Sequence, residues 1–283
     1  MLRPATEDTL TPPWRCQVCH EGLTLLDGGA RWACRSGHSY DVARGGYVNL
    51  LPAGRRRTRQ PGDSAEMVRA RRSFLASGAY DELSLALSVA VAEQRPGLVL
   101  DVGCGEGRHT RRLSAPLILG VDVSKVAVSA AAKAHPEGWY AAASAAELPL
   151  GDGVVDVALN AFGPVVPAEL ARVTRPNGVV VTAHPGPQHL AALRALVYSD
   201  ARPHEVKPPL RQAGKWFTET GSVSVGFSVV VSGAAQLKDL FSMTPYRWHA
   251  PQDIDERLAT AAGGGFETVA DIRVTSYLRT ACG

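Results

Sequence analysis

The sequence predicts an α/β protein, a mostly parallel sheet covered by helices, with a small N-terminal module that folds around a metal. Two observations carry this expectation. From Pro96 onward, apolar strands alternate with longer amphipathic stretches, as in strands returned in parallel by crossover helices. Ahead of them, Cys16, Cys19, Cys34 and His38 form two close pairs of soft or borderline metal ligands. The chain has 283 residues, 45% hydrophobic and 20% charged, enough for a substantial core, which excludes a disordered tail or a fibre.

The module comes first, over residues 1–45. Cys16 and Cys19 are separated by two residues, fourteen residues follow, and Cys34 and His38 are separated by three. Each pair suits a tight turn. A hairpin of Leu23–Leu26 and Ala30–Ala33, with Asp27, Gly28 and Gly29 at its tip, brings the pairs together. Four protein ligands make a closed, structural zinc site, expected at one ion per chain, and the ion supplies folding energy that so small a module lacks. His20 is a rival ligand, but its adjacency to Cys19 makes joint chelation awkward. Five cysteines, an odd number, without a signal peptide argue against a disulfide framework.

Residues 46–95 are expected to be a basic linker and a helical segment. The formal charge of the whole chain is only +3, yet it is unevenly spread. Residues 1–40 hold four arginines against four acids, while residues 41–75 hold eight against three. Arg55, Arg56, Arg57 and Arg59 are the densest run, with Arg71 and Arg72 downstream. Arginine suits phosphate because its planar fork donates two parallel hydrogen bonds, so these residues are a candidate anion-binding surface. Trp14, Trp32 and Tyr40 stand beside the metal ligands.

The catalytic domain is expected over residues 96–283. Leu98–Val102 reads as a buried first strand running into Gly103-Cys104-Gly105-Glu106-Gly107, with helical spacing from Arg108. Leu117–Val121 is the second strand and ends in Asp122, after which Ser124 caps a helix through Ala134. Trp139–Ala142, Val154–Leu159 and Val179–Ala183 are the next three, and Phe266–Tyr277 is a late antiparallel strand. Residues 203–233, extended and rich in Val and Ser, read as an insertion covering the substrate cleft. Glycines let the backbone approach a ligand closely, and an acid at the end of the next strand accepts ribose hydroxyls. Asp122 stands twenty-one residues after Asp101, near that spacing.

The string Val-Leu-Asp-Val-Gly-Cys-Gly-Glu-Gly resembles motif one of class I S-adenosylmethionine-dependent methyltransferases, which implies a Rossmann-like, mostly parallel seven-stranded sheet. By that resemblance Asp101 and Glu106 orient the loop, Gly103 and Gly105 admit the methionyl part of S-adenosylmethionine, and Asp122 holds the ribose. Ser144 stands where many of these enzymes place an Asp for the adenine amino group. Asn160 and Phe162, after the fourth strand, are candidates for positioning the target base.

Further motifs narrow the resemblance. They are His38-Ser39-Tyr40-Asp41-Val42, Gly45-Gly46-Tyr47-Val48-Asn49-Leu50-Leu51, Pro61-Gly62-Asp63-Ser64-Ala65-Glu66-Met67, Pro185-Gly186-Pro187-Gln188-His189-Leu190 and Met243-Thr244-Pro245-Tyr246-Arg247-Trp248. Together with the zinc module they look like the RlmA family of 23S rRNA guanine-N1 methyltransferases, which includes macrolide-resistance relatives. The resemblance implies that Tyr80, His109, Thr110 and His189 line the cofactor pocket, with His109 and Thr110 at a helix start. It also implies a homodimer and 23S rRNA as partner, with Arg55, Arg56, Arg57, Arg59, Arg71 and Arg72 as candidate RNA contacts and Trp14, Trp32 and Tyr40 either stacking on a base or packing the module. A small-molecule methyltransferase and a non-catalytic zinc-containing RNA-binding protein are the alternatives. The longest nearly charge-free apolar stretch, Leu83–Ala92, is about half a bilayer crossing, so a cytoplasmic protein with no membrane partner is expected.

Overall fold

The computed structural model describes residues 10–52 and 62–280. The expected hairpin is present as β1 (Thr24–Leu26) and β2 (Arg31–Ala33), joined by a single turn of 3-10 helix over Asp27–Gly29. A third strand, β3 (Ser39–Asp41), adds antiparallel to β2. Trp14 and Trp32 are almost fully buried and so pack the module rather than face a base.

The large sheet has eight strands, where seven were expected. The extra one is β4 (Tyr47–Asn49), which pairs parallel with β7 (Trp139–Ala142) and so covers an edge that β7 would leave open. Residues expected to be linker therefore belong to the catalytic sheet. The order across it is β10-β11-β9-β8-β5-β6-β7-β4, with β5 Leu98–Val102, β6 Leu117–Asp122, β8 Val155–Ala161, β9 Thr174–Pro185, β10 Phe217–Val231 and β11 Phe266–Arg279. All pairs are parallel except β10 with β11 and β11 with β9. Residues 217–231 are thus an edge strand of the sheet and not an insertion above the cleft. Alternating β-branched and polar residues pair that strand with β11, and its tolerance of exposed Ser and Thr fits an edge position.

Helices α1 (Ala65–Ala76), α2 (Asp81–Ala92), α3 (Lys125–Ala134), α4 (Pro167–Val173), α5 (Ala191–Val197), α6 (Ala234–Ser242) and α7 (Ile254–Gly263) complete the chain. Ser64 and Ser124 cap α1 and α3, their hydroxyls accepting from Met67 N and Ala127 N. The strands send alternate side chains to opposite faces. Val99, Val157 and Val181 join a core with Leu83, Leu87 and Leu240, whereas Leu98, Leu100 and Val180 join one with Trp14, Cys16 and Trp32. The zinc module therefore shares a core with the sheet, sealed by Trp32 edge-on to Trp139 at 5.8 Å. No single helix is long and apolar enough to cross a membrane among the described residues.

The helix expected from Arg108 does not form. Only a 3-10 turn over Thr110–Arg112 follows the glycine loop. Nine residues separate the loop from β6, and Pro116 disfavours helix in the residue before it, leaving no length for a regular helix and its exit.

Candidate active site and metal centre

The four predicted metal ligands converge. One ligand atom from each of Cys16, Cys19, Cys34 and His38 lies within 4.8 Å of every other. The Cys19 and Cys34 sulfurs are 3.5 Å apart, and Cys34 Sγ is 3.4 Å from His38 Nδ1. Ligands about 2.3 Å from a tetrahedral zinc stand roughly 3.7 Å from one another, so the set fits that ion. Two turns build it: His20 N donates to Cys16 O at 3.0 Å, and Gly37 N to Cys34 O at 3.1 Å. The positive φ of His20 ends the first turn and leaves its side chain exposed, outside the cluster. Val18 N and the Tyr40 hydroxyl lie 3.4 and 3.2 Å from Cys16 Sγ, where they stabilise thiolate charge. This role for Tyr40 was not apparent from the spacing of ligands alone.

At the ends of β5 and β6 the glycine loop folds back on the second strand. Gly103, Gly105 and Gly107 all adopt positive φ, and Gly103 N donates to Val121 O at 2.8 Å. Asp122 Oδ2 accepts from Gly105 N at 3.1 Å and Oδ1 from Ser124 N at 2.8 Å, which fixes the carboxylate beside the loop and leaves each oxygen a lone pair for a ribose hydroxyl. Asp101 lies beneath, buried, accepting from Thr110 Oγ1 at 2.5 Å. Thr110 thus orients Asp101 instead of opening a helix.

Burial pushes Asp101 up to about 7 and raises Glu106 and Asp122 as well. Three crowded carboxylates make a pocket that favours a cation, which suits a cofactor carrying a sulfonium and an amine. The donor set therefore fits S-adenosylmethionine. His109 bonds Ser84 Oγ through Nδ1 at 2.9 Å, and burial pushes it down to about 4, so it is neutral at pH 7. Ser144 Oγ accepts from Ala146 N at 3.2 Å, closing the turn after β7 and keeping its own proton to donate. Tyr80 sits in the apolar core, edge-on to Phe74 and Phe227 at 6.2 and 5.3 Å.

The loop after β8 comes up against this pocket. Asn160 is buried and its amide donates to Val102 O at 2.9 Å and Pro164 O at 3.2 Å, so both donors are spent holding the loop to β5. A Cβ on Gly163 would lie 2.8 Å from Asn160 Nδ2, which explains the glycine there. Phe162 has a φ of 59° and is 44% exposed. His189 is buried with Nδ1 unpartnered, and burial pushes it to about 4.

The arginines divide. Arg55, Arg56, Arg57 and Arg59 lie outside the described residues. Arg72 is exposed. Arg71 instead turns toward the cofactor loop: it pairs with Asp63, donates to Met243 O at 3.3 Å, and stands 3.6 Å from where a Cβ on Gly105 would be. Asp63 O in turn accepts from Ser124 Oγ at 2.8 Å, so residues 62–64 dock beside Asp122. The sequence pattern placed Arg71 with its basic neighbours because helical register, not charge density, decides which way it points.

Comparison with known proteins agrees with both halves of this geometry. The family model of the RlmA N-terminal zinc ribbon matches residues 14–59, and a methyltransferase domain model matches residues 100–182. The 23S rRNA (guanine(748)-N1)-methyltransferase of Streptomyces fradiae is 36% identical over 260 residues, 88% of this chain and 91% of that one. A Micromonospora griseorubida protein, provisionally named a 23S rRNA (guanine-N1-)-methyltransferase, is 41% identical over 207 residues, 65% of this chain and 69% of its own. Identity at that level over 88% of the chain, together with the zinc-ribbon match, means that the chain belongs to the RlmA family of 23S rRNA guanine-N1 methyltransferases.

Proposed function

We propose that this chain methylates N1 of a guanine in a hairpin of 23S rRNA, with residues 1–45 recognising RNA, residues 46–95 joining the parts and adding β4 to the sheet, and residues 96–283 carrying the chemistry. The observation that supports it best is the Cys3His module packed into one core with β5 and β6, the strands whose ends carry the glycine loop and Asp122. A small-molecule enzyme has no use for that module.

Bound S-adenosylmethionine supplies a methyl group already activated by positive sulfur. The protein's task is then alignment. In this reading Gly103 and Gly105 admit the methionyl end, and Asp122 accepts the ribose hydroxyls. Glu106 and Asp101, the latter held by Thr110, shape the loop. Ser144 offers its hydroxyl proton to the adenine, and neutral His109 and His189 bound the pocket. Guanine N1 points into a base pair within a stem, so the base must be taken out or be unpaired already. Phe162 presents an exposed ring to stack on it, and Asn160 fixes the loop that carries that ring. The assembly is a homodimer in the same reading, which sedimentation would check.

Incubation with labelled S-adenosylmethionine and 23S rRNA tests the whole reading. N1 methylation blocks pairing, so primer extension should stop beside a single guanine. Label retained by small molecules, with none in rRNA, overturns the reading.

A further inference from the structure

A groove of about 720 Å³ lies between α1 and α3 and is separate from the glycine loop. Four cations line it: Arg69 and Arg72 from α1, Lys125 and Lys133 from α3. No lining residue is acidic, and none of the four cations has a carboxylate partner among the described residues.

Helical spacing explains the arrangement. Lys125, Ser129 and Lys133 stand four residues apart and share one face of α3. Arg69 and Arg72, three apart, share the face of α1 opposite it, while Met67, Ala70 and Phe74 are buried and Val68 packs on Ala127 and Ala130 at the floor of the groove. At one end, Lys125 follows Ser124, whose backbone N–H holds Asp122. At the other, Tyr47 of β4 lines the groove where the chain leaves the zinc module. Lys125 and Lys133 are eight residues apart, about 12 Å along the helix axis, room for roughly two phosphate spacings.

We propose that this groove is a track for the phosphate backbone of the substrate RNA, running from the zinc module to the cofactor pocket. The inference rests on the rRNA reading above. Unpaired cations facing one another across a channel repel, and a polyanion relieves that repulsion while releasing its own counterions. The hydroxyl of Ser129 and the ring of Tyr47 add a hydrogen-bond donor and a stacking face.

The test uses the full zinc-loaded chain and 23S rRNA. The triple variant Arg69→Gln, Arg72→Gln, Lys133→Gln should bind RNA more weakly, and the slope of log affinity against log salt should fall in magnitude by about 2 to 3, near one per lost phosphate contact. Affinity for S-adenosylmethionine should be unchanged, which also reports that the variant is folded. Lys207→Gln, which removes an exposed cation paired with Glu205 outside the groove, should leave the slope alone. An unchanged slope in the triple variant overturns the proposal, as does an equal fall in Lys207→Gln. A change of oligomeric state with no change in slope overturns it too, in favour of a contact between copies. If the wild-type chain neither binds nor methylates rRNA, the functional reading falls along with the groove. If it methylates and the triple variant binds equally well, only the groove falls.

Discussion

The rings of His189 and Phe162 lie stacked, centroids 5.8 Å apart and planes 28° from parallel, although one follows β9 and the other β8. Both loops carry a residue in the left-handed region, Phe162 itself and Leu190 beside His189. Non-glycine residues held there carry strain that collects at functional sites. Phe162→Ala should reduce rRNA methylation on the order of 5- to 150-fold, the range of one lost base stack, with cofactor affinity retained. His189→Ala should lower cofactor affinity instead. Equilibrium dialysis with S-adenosylmethionine separates the two, and equal affinity in His189→Ala and wild type removes His189 from the pocket.

The zinc module should not survive loss of its ion. Zinc contributes about 10–16 kcal/mol in small zinc-folded peptides, comparable with the whole stability of a domain. Elemental analysis should find one zinc per chain. Chelation, or Cys34→Ser, should expose Trp14 and Trp32 and shift tryptophan emission to the red. A metal-free protein with unshifted emission and an unchanged Tm would contradict this.

Asp101 should make the cofactor-free protein less stable as pH rises. Its folded pKa, near 7, lies above the ordinary value of 3.8, so the folded state holds the proton more tightly. The stability it contributes is complete below about pH 4 and is lost as pH climbs through 7, at no more than about 1.4 kcal/mol per pH unit. Thermal melts of Asp101→Asn should lack this fall between pH 4 and 7. Parallel melting curves for the variant and wild type would assign the fall to other groups.

Arg71 and the upstream arginines should part in their effects. Arg71→Ala removes the guanidinium that counters Glu106 and Asp122, so it should weaken S-adenosylmethionine binding and leave the salt slope of RNA binding intact. Replacing Arg55, Arg56, Arg57 and Arg59 together should do the reverse. Titration calorimetry and filter binding read the two quantities independently, and identical behaviour of the two variants would refute the division.

Strands β5 and β7 match their sequence expectations residue for residue, because buried parallel strands bounded by Gly, Asp or Pro leave few other registers. The metal quartet was equally legible, since its spacing is chemistry rather than propensity. Contacts distant in sequence were not. Nothing local in Tyr47–Asn49 says that β7 lacks a neighbour, and β10 reads as a loose, polar stretch until β11 pairs with it. Thr110 looked like the first residue of a helix because its true partner, Asp101, lies on another element. Arg71 and Arg72 are adjacent in the chain, and only the packing of α1 sends one to the cofactor loop and the other to solvent.

The core common to the zinc module and the sheet bears on how a target is chosen. A module tethered by a linker samples many distances, whereas Trp32 wedged against Trp139 fixes one. In the function proposed above, the end that grips RNA and the end that alkylates it are then the two marks of a ruler. A guanine is selected by how far it stands from the gripped feature as well as by its own edges, and lengthening a stem by a base pair should move the methylated position rather than abolish it.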